Sequence, residues 1–230
     1  MSNAGRLRLQ RKIGKLKLNL ITLGTKVEER VELAVKAIRA RDAALAASVI
    51  DGDREIDSME IDMEEACLEI LALHQPVAVD LRFITGVLKM NSQLERIGDL
   101  AVNIAETAVF LASENPLQIP DEYFEMARKV QVMLKQALDA FVNMSHSAAC
   151  QVLAADDAVD TMKHKLHRNF EERLKEELNR RRALIHLFLV SRHLERIADH
   201  STNIAEDVIY MATGDIVRHG CSPTDCWLEP

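Results

Sequence analysis

The chain has 230 residues, of which 48% are hydrophobic and 28% are charged, and its formal net charge is −7. The scarcity of glycine, proline and aromatic residues argues against a β-sandwich or barrel, which needs a turn at every strand end. Abundant Leu, Ile, Val and Ala exclude a disordered chain. The acidic balance argues against nucleic-acid binding, and no apolar run reaches the ~18 residues that span a bilayer.

The N-terminal stretch is basic and leads into an amphipathic pattern, not into the apolar core of a signal peptide. Cys67 and Cys150 lie inside helical patterns, where cysteine behaves as a small hydrophobe. Cys221 and Cys226 lie near His219 in the C-terminal tail, without the second Cys/His pair of a zinc site. Scattered thiols indicate a reducing compartment, so we expect the cytoplasm.

Three helices are predicted in the first half of the chain. Apolar residues from Leu9 to Leu45 recur at alternating spacings of four and three, which is a helical seam. Asp53 is expected to cap the second helix, and Pro76 separates the second helix from the third. The predicted ranges are about 9–51, 53–73 and 77–112.

The second half of the chain repeats the first. The motif LERIGD at 94–99 recurs as LERIAD at 194–199, and NIAE at 103–106 recurs at 203–206, both at an offset of 100. Upstream, the offset between matching acidic residues is 103. A block of this length in constant register is a repeat signal, and it predicts a second set of helices at about 120–155, 156–179 and 180–213.

The predicted architecture is therefore all-α, with two tandem three-helix bundles related by the internal repeat. The only proline-rich stretch inside the fold, 113–121, lies at the middle of the chain and is expected to link the two bundles. The predicted divisions are 5–113 for the first bundle, 114–121 for the linker, 122–214 for the second bundle and 215–230 for a tail.

Pairs of acidic residues spaced four apart stand on one helix face in each half. Two antiparallel helices joined by a tight turn bring together residues whose numbers have a constant sum. Asp53 with Asp99 and Asp57 with Glu95 both sum to 152, and the turn at Pro76 lies at half of that value. In the second half, the sum is 355 for Asp156 with Asp199 and for Asp160 with Glu195. Each hairpin is therefore predicted to bring four carboxylates to one level.

Four carboxylates at one level repel one another, so a compensating cation is expected. Hard cations such as magnesium, manganese, calcium or iron take oxygen ligands of this kind. The alternative is a solvated acidic face that Arg96 or Arg196 neutralises. The predicted metal ligands flank the apolar seam in open grooves, and they are Asp53, Asp57, Glu95, Asp99, Asp156, Asp160, Glu195 and Asp199.

Motifs of catalysis are missing from the sequence. The chain has no Glu-x-x-His, which a di-iron carboxylate enzyme would use twice, and no phosphate-binding glycine loop or nucleophile motif. We therefore expect a protein that is not an enzyme. A di-metal carboxylate enzyme and a helical adaptor without metal are the two alternatives.

Two further segments can each be interpreted as purely structural or as functional. The stretch 6–17 carries six basic and no acidic residues, which fits either a solvated helix face or a contact with anionic lipid or an acidic partner. An apolar stripe in the fourth predicted helix fits either the core of the second bundle or a dimer interface. Its members are Met126, Val130, Met133, Leu134, Ala137, Leu138, Phe141 and Met144.

At the repeated motifs the sequence resembles the PhoU family, the accessory and regulatory proteins of the phosphate-specific transport system. The resemblance rests on 94–106 and its copy at 194–206, together with the stretch HQPVAVDLR at 74–82. It covers roughly 10–213. It implies a cytoplasmic, all-helical protein of two three-helix bundles that commonly forms a homodimer.

The resemblance also implies multinuclear metal clusters, of iron or zinc in some members and magnesium or manganese in others. Their ligands come from paired motifs that match the eight carboxylates given above. It implies negative control of phosphate uptake and phosphate-starvation signalling through contact with the transporter's ATPase subunit and a phosphate-sensing histidine kinase. Leu100 stands where the second copy has His200, a position that is often His in the family, so the two metal sites are expected to differ if this position tunes them.

Overall fold

The computed structural model describes residues 3–217, and within that range every regular element is a helix. The prediction of an all-α fold is confirmed. The predictions for Cys221, Cys226 and the tail from residue 218 onward lie outside the described residues. The helices are α1 Asn3–Ala40, α2 Ala43–Asp51, α3 Asp53–His74, α4 Ala78–Ser113, α5 Asp121–Asn143, α6 His146–Glu176 and α7 Arg181–Thr213, and a single 3₁₀ turn, Leu178–Arg180, precedes α7.

The first helix ends at Ala40, about eleven residues earlier than predicted. Arg41 adopts a left-handed conformation with φ of 52°, and the Asp42 carboxylate accepts hydrogen bonds from the amides of Ala44 and Leu45, both at 3.0 Å. These bonds satisfy amide groups that the first turn of α2 would otherwise leave unpaired. The prediction that Asp53 caps the next helix is wrong, because α3 has no side-chain cap and follows α2 through a nearly helical Gly52.

The predicted break between residues 155 and 156 is also wrong, because α6 runs through Asp156 without interruption. The real break lies at Met144, which is left-handed with φ of 47°, and at Ser145, whose hydroxyl accepts from the amide of Ala148. These residues follow Arg41 and Asp42 at an offset of 103, the offset that also relates the acidic residues. The two halves therefore reverse direction at matching positions.

The helices pack as antiparallel neighbours. Lys12 and Lys26 of α1 form ion pairs with Glu69 and Glu55 of α3 at 2.7 and 2.8 Å. Between the halves, α4 runs against α7, and Phe110 stacks on His186 with ring centroids 3.9 Å apart. The second contact between the halves joins α1 to α5. The two predicted bundles thus pack side by side along two helix pairs, and the exact divisions given above remain predictions.

The apolar seam predicted for α1 is confirmed, since Leu16, Leu20 and Leu23 are buried. The stripe on α5 belongs to the core and is not a dimer interface, because its members from Met126 to Phe141 are buried within the single chain.

The basic stretch 6–17 is partly bound to neighbouring helices. Lys12 forms an ion pair with Glu69 and Lys17 donates to the Val142 carbonyl. The other basic side chains are exposed, and they are Arg6, Arg8, Arg11 and Lys15. None of the helices within residues 3–217 has the length and apolar character that crossing a membrane requires.

Candidate functional site

The first carboxylate cluster lies where the start of α3 crosses the middle of α4. Ile56 of α3 and Ile97 of α4 point into the core, which leaves the acidic residues at the edge of the helix contact. Gly98 allows the close approach, because a Cβ there would lie 3.3 Å from Ile56 and 3.6 Å from the Asp53 Oδ1 atom. The Asp53 carboxylate therefore lies over α4, beside the residue that precedes Asp99.

Across this hairpin, the negative charges of neighbouring acids raise the pKa of Asp53 and of Glu95. Burial raises the pKa of Asp53, and the negative charges of Asp57 and Asp99 raise it further. Burial also raises the pKa of Glu95, with added repulsion from Asp99, Glu60 and Asp57. The structure thus brings the four predicted acids of the first half together, and none of them is fully buried.

The second cluster lies between the middle of α6 and the middle of α7. Burial raises the pKa of Asp156 to about 6, and Asp199, Asp160, Asp157 and Glu195 add repulsion. Burial raises the pKa of Asp199 as well, with Glu195 and Asp160 adding to the effect. Here too the four predicted acids lie close enough for their charges to interact, and none of them is fully buried.

One difference between the two clusters was not singled out from the sequence. Glu60 lies one turn beyond Asp57, and burial together with the charges of Glu64 and Asp57 raises its pKa. The matching residue at the offset of 103 is Lys163. Its ammonium contacts Glu195 at 2.6 Å and Asp160 at 3.5 Å. Extending the repeat alignment by one turn would have found this difference.

Arginine side chains lie at the margins of both clusters. Arg30 packs over Gly52, where a side chain would collide with its guanidinium, and it donates to the Ser48 carbonyl. Its positive charge lowers the pKa of Asp53 and so offsets part of the increase. Arg96 acts likewise on Glu95, and Arg196 on Asp199. Partial neutralisation by Arg96 and Arg196, the alternative considered from sequence, is therefore present but leaves these pKa values raised.

The donor set of both clusters consists of carboxylate oxygens, which suit hard cations. Within residues 3–217, however, no three His, Cys, Asp or Glu side chains stand in positions that would hold a metal ion as they are. Bringing the oxygens onto one ion would require rotation of the side chains while the helices keep their register. The oxygens suit a hard cation by their chemistry, and in their present positions they do not converge on one point.

His200, the histidine of the second copy that matches Leu100, lies in the contact between α4 and α7. His200 is buried and its Nδ1 atom lies 2.7 Å from the Gln93 side-chain oxygen, across the contact between α4 and α7. Burial, with the charges of Arg196 and Arg96, lowers its pKa to about 4. Leu100 at the matching position of α4 is buried as well. This position therefore serves helix packing, and Glu60 and Lys163 are a difference within the clusters themselves.

Comparison with known families gives two matches along the chain. The model of the PhoU domain matches residues 20–108 and again residues 124–208. A protein of Aquifex aeolicus, described as a phosphate-specific transport system accessory protein PhoU homolog, is 38% identical over 213 residues, which is 93% of this chain and 96% of the relative.

Solved structures give the same result. The crystal structure of PhoU from Pseudomonas aeruginosa superposes with a TM-score of 0.85 at 35% identity, over 90% of this chain and 99% of the other. The crystal structure of the phosphate transport system regulatory protein PhoU from Streptococcus pneumoniae has a TM-score of 0.85 at 26% identity, over 92% and 100% of the two chains. The predicted resemblance is confirmed, and the chain belongs to the PhoU family.

Proposed function

We propose that this protein is an accessory protein of phosphate-specific transport that restrains phosphate uptake and phosphate-starvation signalling. The observation that carries the proposal is the match of both halves to the PhoU domain, with relatives described as accessory proteins of that system over nearly their whole length. A regulatory role is supported by the structural neighbour from Streptococcus pneumoniae, which is described as a phosphate transport system regulatory protein.

The proposed partners are the ATPase subunit of the phosphate transporter and the phosphate-sensing histidine kinase. Neither contact requires catalysis by this chain, and the missing Glu-x-x-His motif argues against a di-metal carboxylate enzyme. We further propose that the protein acts in the cytoplasm and that it does so as a homodimer.

Binding to the two partners is the direct test of this role. The full chain should bind the purified ATPase subunit and the cytoplasmic part of the kinase from the same genome, measured by surface plasmon resonance. An unrelated transporter ATPase serves as the control. Equal binding to the related and the unrelated ATPase, or none to either partner, would refute action by contact. Light scattering on the same sample tests the dimer, since a monomer has a mass of 25.9 kDa.

The carboxylate clusters are proposed to bind metal ions. Asp53, Asp57, Glu95 and Asp99 would hold an ion in the first cluster, and Asp156, Asp160, Glu195 and Asp199 form the second candidate set. The all-oxygen donors favour manganese, magnesium or iron over zinc, which prefers nitrogen and sulfur. When bound, such an ion supplies positive charge that offsets the repulsion described above.

A metal-free helical adaptor is the second candidate, and one observation favours it. No three potential ligands within residues 3–217 are already arranged around a common point. Elemental analysis of protein purified without chelators separates the two candidates. The metal-binding proposal predicts bound manganese, magnesium or iron in stoichiometric amounts, and metal-free protein from every growth condition would favour the adaptor.

A further inference from the structure

The position one turn beyond the second aspartate of each cluster carries opposite charges in the two halves. Glu60 of α3 and Lys163 of α6 correspond at the offset of 103 that relates the rest of each cluster. Glu60 adds negative charge to the first cluster, as its electrostatic coupling to Glu95 indicates. Lys163 adds a positive charge to the second. The two clusters therefore carry opposite charges at this position, although they also differ at Asp157, where the first half has Arg54.

The Lys163 ammonium lies between the acids of α6 and those of α7. It contacts Glu195 of α7 at 2.6 Å and Asp160 of its own helix at 3.5 Å. The Lys163 and Glu195 side chains are each about one-fifth exposed, with a relative accessibility of 20%. An ion bridging the two helices at Asp160 and Glu195 would need the oxygens that the ammonium already holds.

Arg30 does not play the same part in the first cluster. Its guanidinium lies over Gly52, contacts Glu55 at 3.8 Å and donates to the Ser48 carbonyl. These contacts hold it on the side of α2 and the first turn of α3. It opposes the charge of Asp53 from that margin, whereas Lys163 contacts acids from both helices of its cluster.

We propose that Lys163 is a tethered cation of the second cluster, so that a divalent metal ion binds the first cluster in preference to the second. This inference rests on the proposal that the clusters bind metal. A divalent ion entering the second cluster must displace the ammonium from its carboxylate partners, and it is repelled by that charge as long as both are near. The first cluster presents Glu60 at the same place and attracts the ion.

Manganese binding to the full chain tests the inference, with the free ion counted by its electron paramagnetic resonance signal. The informative variants are Lys163→Met, which removes the tethered charge, and Glu60→Lys, which introduces one into the first cluster. Lys165→Met is the matched control, because Lys165 lies two residues along α6 and pairs with Glu122 of α5. Circular dichroism verifies that each variant retains its helical content.

Two double variants assign the bound ions to their clusters. Asp57→Asn with Glu95→Gln disables the first cluster, and Asp160→Asn with Glu195→Gln disables the second. The tight manganese binding of the wild-type protein should be lost in the variant whose first cluster is disabled. It should be kept in the variant whose second cluster is disabled. Each of these pairs is also combined with Lys163→Met, so that affinity gained in that variant can be assigned.

Lys163→Met should tighten manganese binding at the second cluster by about tenfold or more, as the removal of a neighbouring positive charge requires. Glu60→Lys should weaken the first cluster by a similar factor, and Lys165→Met should change neither. Equal affinities at the two wild-type clusters, or a second cluster indifferent to Lys163→Met, would overturn the inference.

The outcomes separate this inference from the metal-binding proposal on which it rests. If manganese binds the first cluster but Lys163→Met has no effect, the role of Lys163 alone is refuted. If wild-type protein binds no ion but Lys163→Met does, the tethered cation is supported and the metal site of the first cluster is refuted. If wild-type protein and all variants fail to bind, both are refuted.

Discussion

Replacing Asp156 by asparagine should stabilise the protein at pH 7 in the absence of metal. The side chain is half-buried and surrounded by acids, and its pKa is raised from 3.8 to about 6. A carboxylate whose pKa is higher in the folded state than in the unfolded state favours folding below the lower value and loses that contribution as the pH rises through the higher one. At pH 7 the ionised Asp156 therefore opposes folding, and asparagine removes the charge with little change in shape.

The size of this effect follows from the shift. A difference between 3.8 and about 6 corresponds to at most ~3 kcal/mol, and screening by solvent at a half-exposed site reduces the expected gain to about 1 kcal/mol. At pH 5 the folded carboxyl is largely protonated but the unfolded one is still mostly ionised, so the advantage of asparagine should fall to about half of its value at pH 7, and it should disappear only below the unfolded pKa of 3.8.

Urea unfolding at pH 5 and pH 7 with a chelator present measures both values. Glu172→Gln provides a matched control, because this carboxylate of α6 is exposed and is not among the acids that act on Asp156, so its removal should change the free energy of unfolding by no more than about 0.5 kcal/mol. A loss of stability on Asp156→Asn at pH 7, or a gain that is the same at both pH values, would refute the electrostatic reasoning.

Three further predictions concern the fold. Asp42→Ala should lower the free energy of unfolding by about 1 kcal/mol, because it removes both hydrogen bonds that cap α2; a loss no larger than that of the exposed Asp51→Ala would contradict the capping role. Met133→Ala should cost ~2–5 kcal/mol in urea unfolding, because Met133 is buried, and a loss below 1 kcal/mol would show that the site is not packed as described. Asp57→Ala combined with Glu95→Ala should keep the circular dichroism spectrum of the wild type, and lost helical content would show that these acids hold the fold together.

The long apolar seams were sufficient to predict the helices and their buried faces. Leu16, Leu20 and Leu23 recur at spacings of four and three and are buried as predicted, because helical periodicity directly reports which face meets the core. The same argument explains the stripe on α5: periodicity identified it as apolar, and only the packing of α5 against its neighbours could decide between core and interface.

The positions of the two helix breaks could not be predicted in the same way. Arg41 and Met144 adopt left-handed conformations that glycine or asparagine usually provides, so their residue types gave no signal. The apolar pattern also continues into the next helix, with Ala46 and Val49 buried. The signal that was available is the pair of capping residues, Asp42 and Ser145, which share the offset of 103.

The register of the carboxylate clusters was predictable, whereas their coordination was not. A hairpin of two antiparallel helices fixes which residues share a level, and the charge of Asp99 indeed acts on Asp53 across the hairpin. Whether oxygens converge on one point depends on side-chain rotamers, which residue spacing does not specify. Lys163 was missed because the alignment of the two halves was not carried one turn further along α6.

Phosphate uptake in a strain that lacks the gene for this protein tests the central claim most directly. In phosphate-rich medium the deletion strain should keep phosphate uptake and the starvation response switched on, and a plasmid copy of the wild-type gene should restore their shut-down. A deletion strain without a second gene of the family that still shuts down uptake at the normal rate would contradict the proposed function.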